Sequence, residues 1–130
     1  MKKLILLLSL MLVSFNVMAE WVNVSSSEND DTYFDFSTKR NVGNITRIWQ
    51  LRDFKTPQSI GEKTYLSSKS LYEYDCLSIR HRVQTIVVYS QNMGRGDNVA
   101  SESGNSPWSD IVPDTVGYTD YKKICNKNRK

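Results

Sequence analysis

The chain has little with which to perform covalent chemistry. Of its 130 residues one is histidine, His81, and two are cysteine, Cys76 and Cys125. No GxSxG, HExxH or phosphate-loop pattern occurs, so the common arrangements for nucleophilic, zinc-dependent and nucleotide chemistry are missing. No CxxC pair is present for redox exchange. One histidine and two thiols far apart in sequence make a poor zinc set. A lone histidine on the inward side of a strand is more often a packed side chain than a general base. Glu73 and Asp75, two positions apart, could in principle share acid–base work. They read better as an exposed acidic strand face paired with Arg80 or Arg82 on the next strand. Glu28, Asp30 and Asp31 match no calcium-loop spacing. Neither an enzyme nor a cofactor is expected.

Long apolar runs are also lacking, with one exception. Residues 4–13 are apolar apart from Ser9, behind Lys2 and Lys3 and ahead of Val17-Met18-Ala19. This is the charge, apolar core and small-residue exit of a secretory leader, with cleavage expected between Ala19 and Glu20. The run is about half of the roughly 20 residues that a bilayer crossing needs. The expected organisation is a leader over 1–19 and one exported domain over 20–130, with no transmembrane segment in the mature chain. No cysteine stands at the end of the leader, so no lipid anchor is expected. The protein should be periplasmic, extracellular or at the cell surface.

An excess of one charge is absent too. Without Lys2 and Lys3, the 17 basic residues become 15 against 14 acidic ones, a net charge of +1. Such a surface has no field to recruit nucleic acid. In an oxidising compartment the two cysteines are most simply one disulfide, the only intramolecular connectivity available. It would close a loop of about 50 residues, worth roughly 4 kcal/mol by chain entropy.

What the chain does have is alternation and aromatic residues. Short apolar–polar alternation at 21–24, aromatic enrichment at 32–37, and longer alternating stretches at 45–54, 64–76 and 77–89 predict strands, with turns at 25–31 and 39–44 and a loop at 55–63. Along 77–89, Ile79, His81, Val83, Thr85, Val87 and Tyr89 line one face by period two. The other face opens with Arg80, Arg82 and Gln84 and turns apolar at Ile86 and Val88, which predicts a far end covered on both sides. Short connections favour an antiparallel sheet. Residues 91–109 read as a long loop with one short strand near 98–101. A single helix is expected over 114–126, capped by Asp114 and burying Gly117, Tyr121, Ile124 and Cys125. The class is therefore α+β: an antiparallel sheet with one C-terminal helix, pinned by Cys125 to the face carrying Tyr72 and Tyr74.

Three tryptophans and seven tyrosines suit a binding surface on a sheet with a free face. Glu73, Arg80 and Arg82 would supply polar contacts at its rim, and Trp108 stands in the long loop. Arg95-Gly96-Asp97 spells the integrin-recognition tripeptide, an order that three common residues reach by chance in a few per cent of chains this long.

Several landmarks together resemble the surface-adhesin protein E family of bacterial secreted proteins. They are Trp21-Val22, Thr32-Tyr33-Phe34-Asp35, Ile48-Trp49, Lys55-Thr56-Pro57-Gln58, and Ser67-Ser68-Lys69-Ser70 leading into Glu73-Tyr74-Asp75-Cys76. Arg80, Arg82, Tyr89-Ser90, Met93-Gly94, Gly96, Trp108, Pro113, Tyr121 and Cys125 follow in order. The resemblance implies a multi-stranded antiparallel sheet with a C-terminal helix tied by Cys76–Cys125. It also implies adhesion to host extracellular-matrix or serum proteins. The alternative role is a soluble periplasmic inhibitor or accessory protein that binds an envelope enzyme. Either way the expected partner is a protein, and the sequence does not set the oligomeric state.

Overall fold

Alternating side chains fold the chain into a meander in which each strand hydrogen-bonds the next. The computed structural model describes residues 18–126. The leader over 1–19 lies outside the described residues apart from Met18 and Ala19, as does the tail from 127 onward. The strands are β1 (Trp21–Ser26), β2 (Asp30–Val42), β3 (Ile45–Ile60), β4 (Lys63–Asp75), β5 (Arg80–Tyr89), β6 (Asn98–Ser103) and β7 (Ser109–Asp110). The single α-helix among the described residues is α1 (Val116–Ile124). The sheet order is β1-β2-β3-β4-β5-β6, all antiparallel, with β7 paired to the start of β5. The α+β class with one C-terminal helix is as the sequence indicates.

Helix α1 covers one face of this sheet, called here the helix face. Its Ile124 is fully buried among Val24, Phe34, Ile48, Tyr74 and Ile111, with Phe36, Tyr72, Tyr118 and Tyr121 at the margin. Burying one such aliphatic side chain stabilises by about 1.5–3 kcal/mol. The disulfide Cys76–Cys125 locks the end of the helix to the end of β4, with Cα atoms 5.6 Å apart. Beside it, the Tyr121 hydroxyl donates to the Cys76 carbonyl at 2.9 Å. Among the described residues no α-helix covers the opposite, open face.

Several boundaries differ from the sequence reading. Strands β2 and β3 run on to a tight turn at Gly43 and Asn44, shortening the connection expected at 39–44. The loop expected at 55–63 is the continuation of β3. Pro57, which has no N–H to give, falls where the β3–β4 ladder is interrupted between Asp53 and Gln58, so the strand tolerates it. The turn expected at 25–31 shrinks to the three residues between β1 and β2. Residues 91–109 are less of a loop than expected, because β6 extends to Ser103 and a 3-10 turn forms at Asn92–Gly94.

The helix begins later than expected. Asp114 takes φ +63° and is not the cap; the Thr115 hydroxyl accepts from the Tyr118 N–H at 3.2 Å instead. The buried positions of α1 are Asp120 and Ile124, so a carboxylate occupies part of the stripe read as apolar.

Strand β5 carries the largest correction. Tyr72 pairs with Val83 but Leu71 pairs with Thr85, which leaves Gln84 as an extra residue in a bulge. Side chains therefore change sides at that point. His81 and Val83, then Ile86 and Val88, share the helix face; Arg80 and Arg82, then Thr85, Val87 and Tyr89, share the open face. The apolar Ile86 and Val88 do not mark a doubly covered strand end. They mark the bulge.

Candidate functional site

The open face gathers four of the six side chains singled out from sequence. Glu73 in β4 is buried and sits between two guanidiniums, Arg82 Nε at 3.2 Å and Arg47 at 3.6 Å. One step along, Arg80 Nε donates to Asp75 at 3.1 Å. The carbons at the centres of the Arg80 and Arg82 guanidiniums lie 5.0 Å and 4.4 Å from the centre of the Trp108 ring. Such cation–ring contacts are worth about 0.5–1 kcal/mol each where water reaches them.

The pairing of Glu73 and Asp75 with β5 arginines is thus as read from sequence, but the carboxylates are not exposed: both are buried under the arginines. The backbone N–H of Ser78 holds the Asp75 carboxyl below the usual carboxylate range. Arg80 and the Leu77 N–H add to that pull, against the opposing effect of burial. The same two N–H groups bond the Asp75 side chain across the hairpin, at 3.2 Å from Leu77 and 3.0 Å from Ser78, so this carboxylate shapes the turn as well.

Farther along this face a groove of about 240 Å³ is lined by Trp21, Trp49, Lys69, Val87 and Tyr89. The Lys69 ammonium lies over both the Trp21 ring, at 5.9 Å, and the Tyr89 ring, at 5.1 Å. Beyond it the Asn92–Gly94 turn packs down, with Asn92 and Met93 donating to Asp53 at 2.9 and 2.8 Å.

Arg95 and Asp97 are exposed on that turn, apart from the Trp108 cluster. Gly96, at φ +80°, has a structural reason to be glycine, since a Cβ there would lie 2.3 Å from the Ser90 hydroxyl oxygen. Gly94 likewise leaves room for the Lys69 side chain.

A second site, absent from the sequence reading, lies on the helix face beside α1. It is a cleft of about 360 Å³ whose lining includes Thr32, Gln50, Arg52, Tyr72, Tyr74 and Asp120. His81 also lines it, and its ring lies 5.6 Å from that of Tyr72 and 5.9 Å from that of Tyr74. Arg52 Nε donates to Asp30 at 2.6 Å. Burial raises the Asp30 carboxyl, but the Ser27 hydroxyl and the Arg52 guanidinium outweigh it and leave it below the ordinary value.

Burial also dominates the other titratable groups of this wall. It lowers His81, raises Tyr72 against the pull of the Arg52 charge, and raises Tyr74 further. Burial also pushes Asp120 up from 3.8 to about 6, although the Ser25 hydroxyl and Lys123 pull the other way. Sequence period could have flagged Asp120, which stands four residues before Ile124 on the same helical face. A carboxylate at that position gives no cue of its own to burial. Gln50 and Thr32 gave no such signal, because polar residues on half-covered strands are ordinary.

Among the described residues no group of three His, Cys, Asp or Glu side chains is arranged to hold a metal ion. None of their helices is long and apolar enough to cross a membrane.

The family model described as Surface-adhesin protein E matches residues 21–126. Among solved structures, crystal form II of Haemophilus influenzae protein E superposes with a TM-score of 0.67 at 15% identity, covering 85% of this chain and 90% of that one. Another structure of Haemophilus influenzae protein E gives 0.65 at 15% identity, covering 85% and 86%. Protein E from non-typeable Haemophilus influenzae gives 0.64 at 14% identity, covering 85% and 78%. At such identities the likeness is one of fold. No curated protein matches the sequence.

Proposed function

Because this chain belongs to the surface-adhesin protein E family, we propose that it is an exported, non-enzymatic adhesin-like protein whose open sheet face binds host extracellular-matrix or serum proteins. On this reading the leader is removed between Ala19 and Glu20, and residues 20–130 act as one domain without a lipid anchor. The observation that carries the assignment is the Trp108 ring lying against both Arg80 and Arg82, on the face opposite α1, which no α-helix of the described residues covers. Tryptophan and arginine dominate the energetics of protein interfaces, and here they are held in place before any partner arrives. Glu73 fixes Arg82 from below, so the arginine meets a partner already oriented. Trp21, Trp49 and Tyr89 continue the face as an aromatic groove. Arg95 and Asp97 form a separate exposed patch, whose part in adhesion is tested by Asp97→Glu: equal cell attachment removes it from the proposal.

The main test captures matrix and serum proteins on the immobilised mature chain, with the cell's own envelope extract as the rival source of partners. Trp108→Ala is expected to weaken capture of a host protein at least tenfold. Retention inside intact cells, with capture of an envelope enzyme alone, would replace the adhesin reading with that of a periplasmic inhibitor or accessory protein.

A further inference from the structure

We propose that the cleft between α1 and the helix face binds a neutral sugar ring, either a free saccharide or the terminal unit of a glycan. Five of its lining residues are more than nine-tenths buried: Asp30, which is paired with Arg52 and Ser27, and Thr32, Gln50, Tyr74 and Asp120. Burying polar groups is unfavourable unless they are hydrogen-bonded, and a sheet under a helix is ordinarily lined with aliphatic side chains there. Yet the Thr32 hydroxyl, the Gln50 amide and the Tyr74 hydroxyl make no side-chain hydrogen bond among the described residues. Asp120 commits only Oδ1, which accepts from Ser25 at 3.0 Å. None of the unpartnered atoms is sealed from solvent. The space that these residues line is the cleft, and its volume of about 360 Å³ is within the range of small-ligand sites.

The chemistry of the lining selects the ligand class. Gln50 offers a donor and an acceptor side by side and Asp120 keeps Oδ2 available, which suits adjacent hydroxyl groups that both donate and accept. Tyr72 and Tyr74 stack with ring centres 5.8 Å apart, and His81 continues the same wall. A sugar ring presents a rim of hydroxyls and a face of C–H groups, matching polar floor and aromatic wall at once. The charges argue against an anionic ligand: Arg52 is already paired with Asp30, and Asp120 adds a second carboxyl group to the lining.

The site is separate from the open face, and its test uses different side chains. The isotope-labelled mature chain is titrated with glucose, galactose, mannose, N-acetylglucosamine and N-acetylgalactosamine, with inorganic phosphate as the ionic probe. The Gln50 side-chain amide and the Arg52 and Gly117 backbone amides serve as reporters. The same chain is applied to an immobilised glycan panel, which separates a glycan terminus from a free saccharide. At least one sugar or glycan is expected to bind, with millimolar affinity for a free monosaccharide. Gln50→Leu and Tyr74→Phe, which keep bulk and remove polar atoms, should each weaken it tenfold or more. Leu77→Ser, on the exposed hairpin, should leave it unchanged. Should Gln50→Leu fail to fold, Tyr74→Phe decides, since it removes one oxygen and keeps the ring. The proposal is overturned by silence of the reporters toward every sugar together with an empty glycan panel, by reporters that answer phosphate alone, or by binding that survives Tyr74→Phe.

Discussion

The two faces of one sheet differ in how completely they match buried polar groups. On the open face every buried carboxylate is matched: Glu73 by Arg47 and Arg82, Asp75 by Arg80 and two backbone N–H groups, Asp35 by Ser37. On the helix face Asp30 is matched by Arg52 and Ser27, but Thr32, Gln50 and Tyr74 have no side-chain partner and Asp120 has half of one. The strands are the same, so the difference comes from what lies above them. Open-face arginines reach over from the neighbouring strand and close on the carboxylates. Helix α1 spans nine residues and covers only part of its face, leaving a polar recess along its flank. A satisfied charged face can be rigid when it meets a partner. An unsatisfied recess is ready to take up something small.

The comparison can be broken most severely at the disulfide. Replacing Cys76 and Cys125 together by serine is expected to cost up to about 4 kcal/mol of stability. It should also loosen α1 from the helix face, while the Glu73 cluster across the sheet keeps its ion pairs. Hydrogen exchange would register the difference: amides of α1 lose protection first, and equal loss on both faces would remove the distinction.

Next in size is Glu73→Ala, which strands two arginines over a vacated site. Since Arg47 is half exposed and can turn to water, a loss of about 2 kcal/mol is expected in denaturant unfolding. Loss near zero would mean that the open-face charges are not coupled.

Asp120 sharpens the contrast through pH. Its folded-state value is raised by burial, so the folded chain holds this proton more tightly than the unfolded one. The resulting penalty is absent below the unfolded value of 3.8 and fully present above about 6, so stability falls as pH rises through that window. The shift corresponds to about 3 kcal/mol at most, and water reaching the recess reduces it to about 1–2 kcal/mol. Asp120→Asn should flatten stability between about pH 4 and pH 6 and stabilise the chain at neutral pH. Asp30 and Asp75 act oppositely: their lowered values favour folding above the ordinary carboxylate range, and that help is lost only at more acidic pH. A profile still sloping in the Asp120→Asn variant would assign the effect to another group.

The smallest effect on stability belongs to Trp108→Ala, about 1 kcal/mol from two ring contacts. A fall in melting temperature that exceeds the Glu73→Ala effect would reverse the ranking.

The sheet was legible because alternation survives wherever one face is covered and the other is not. Tyr72, Tyr74 and Cys76 announced the face that the helix takes, and the cysteine pair named where the helix is tied. That Glu73 and Asp75 meet Arg80 or Arg82 followed from cross-strand neighbours, while which arginine meets which carboxylate is set by the register. The recess was not legible. It depends on where α1 starts, and Thr115 rather than Asp114 caps it because Asp114 turns left-handed. It depends equally on Asp120 occupying a buried helical position of which a carboxylate gives no cue. Pro57 misled for a similar reason, since a proline is compatible with a strand only where the ladder has already parted.

Gln84 acts as a single tooth too many in a gear train, and the two ends of β5 mesh with opposite sides because of it. Deleting that one residue would turn Arg80 and Arg82 inward against the tyrosines and send His81 out to solvent, dismantling both surfaces while leaving the composition nearly untouched. Insertions and deletions, more than substitutions, are therefore the changes to which this molecule is most vulnerable at β5.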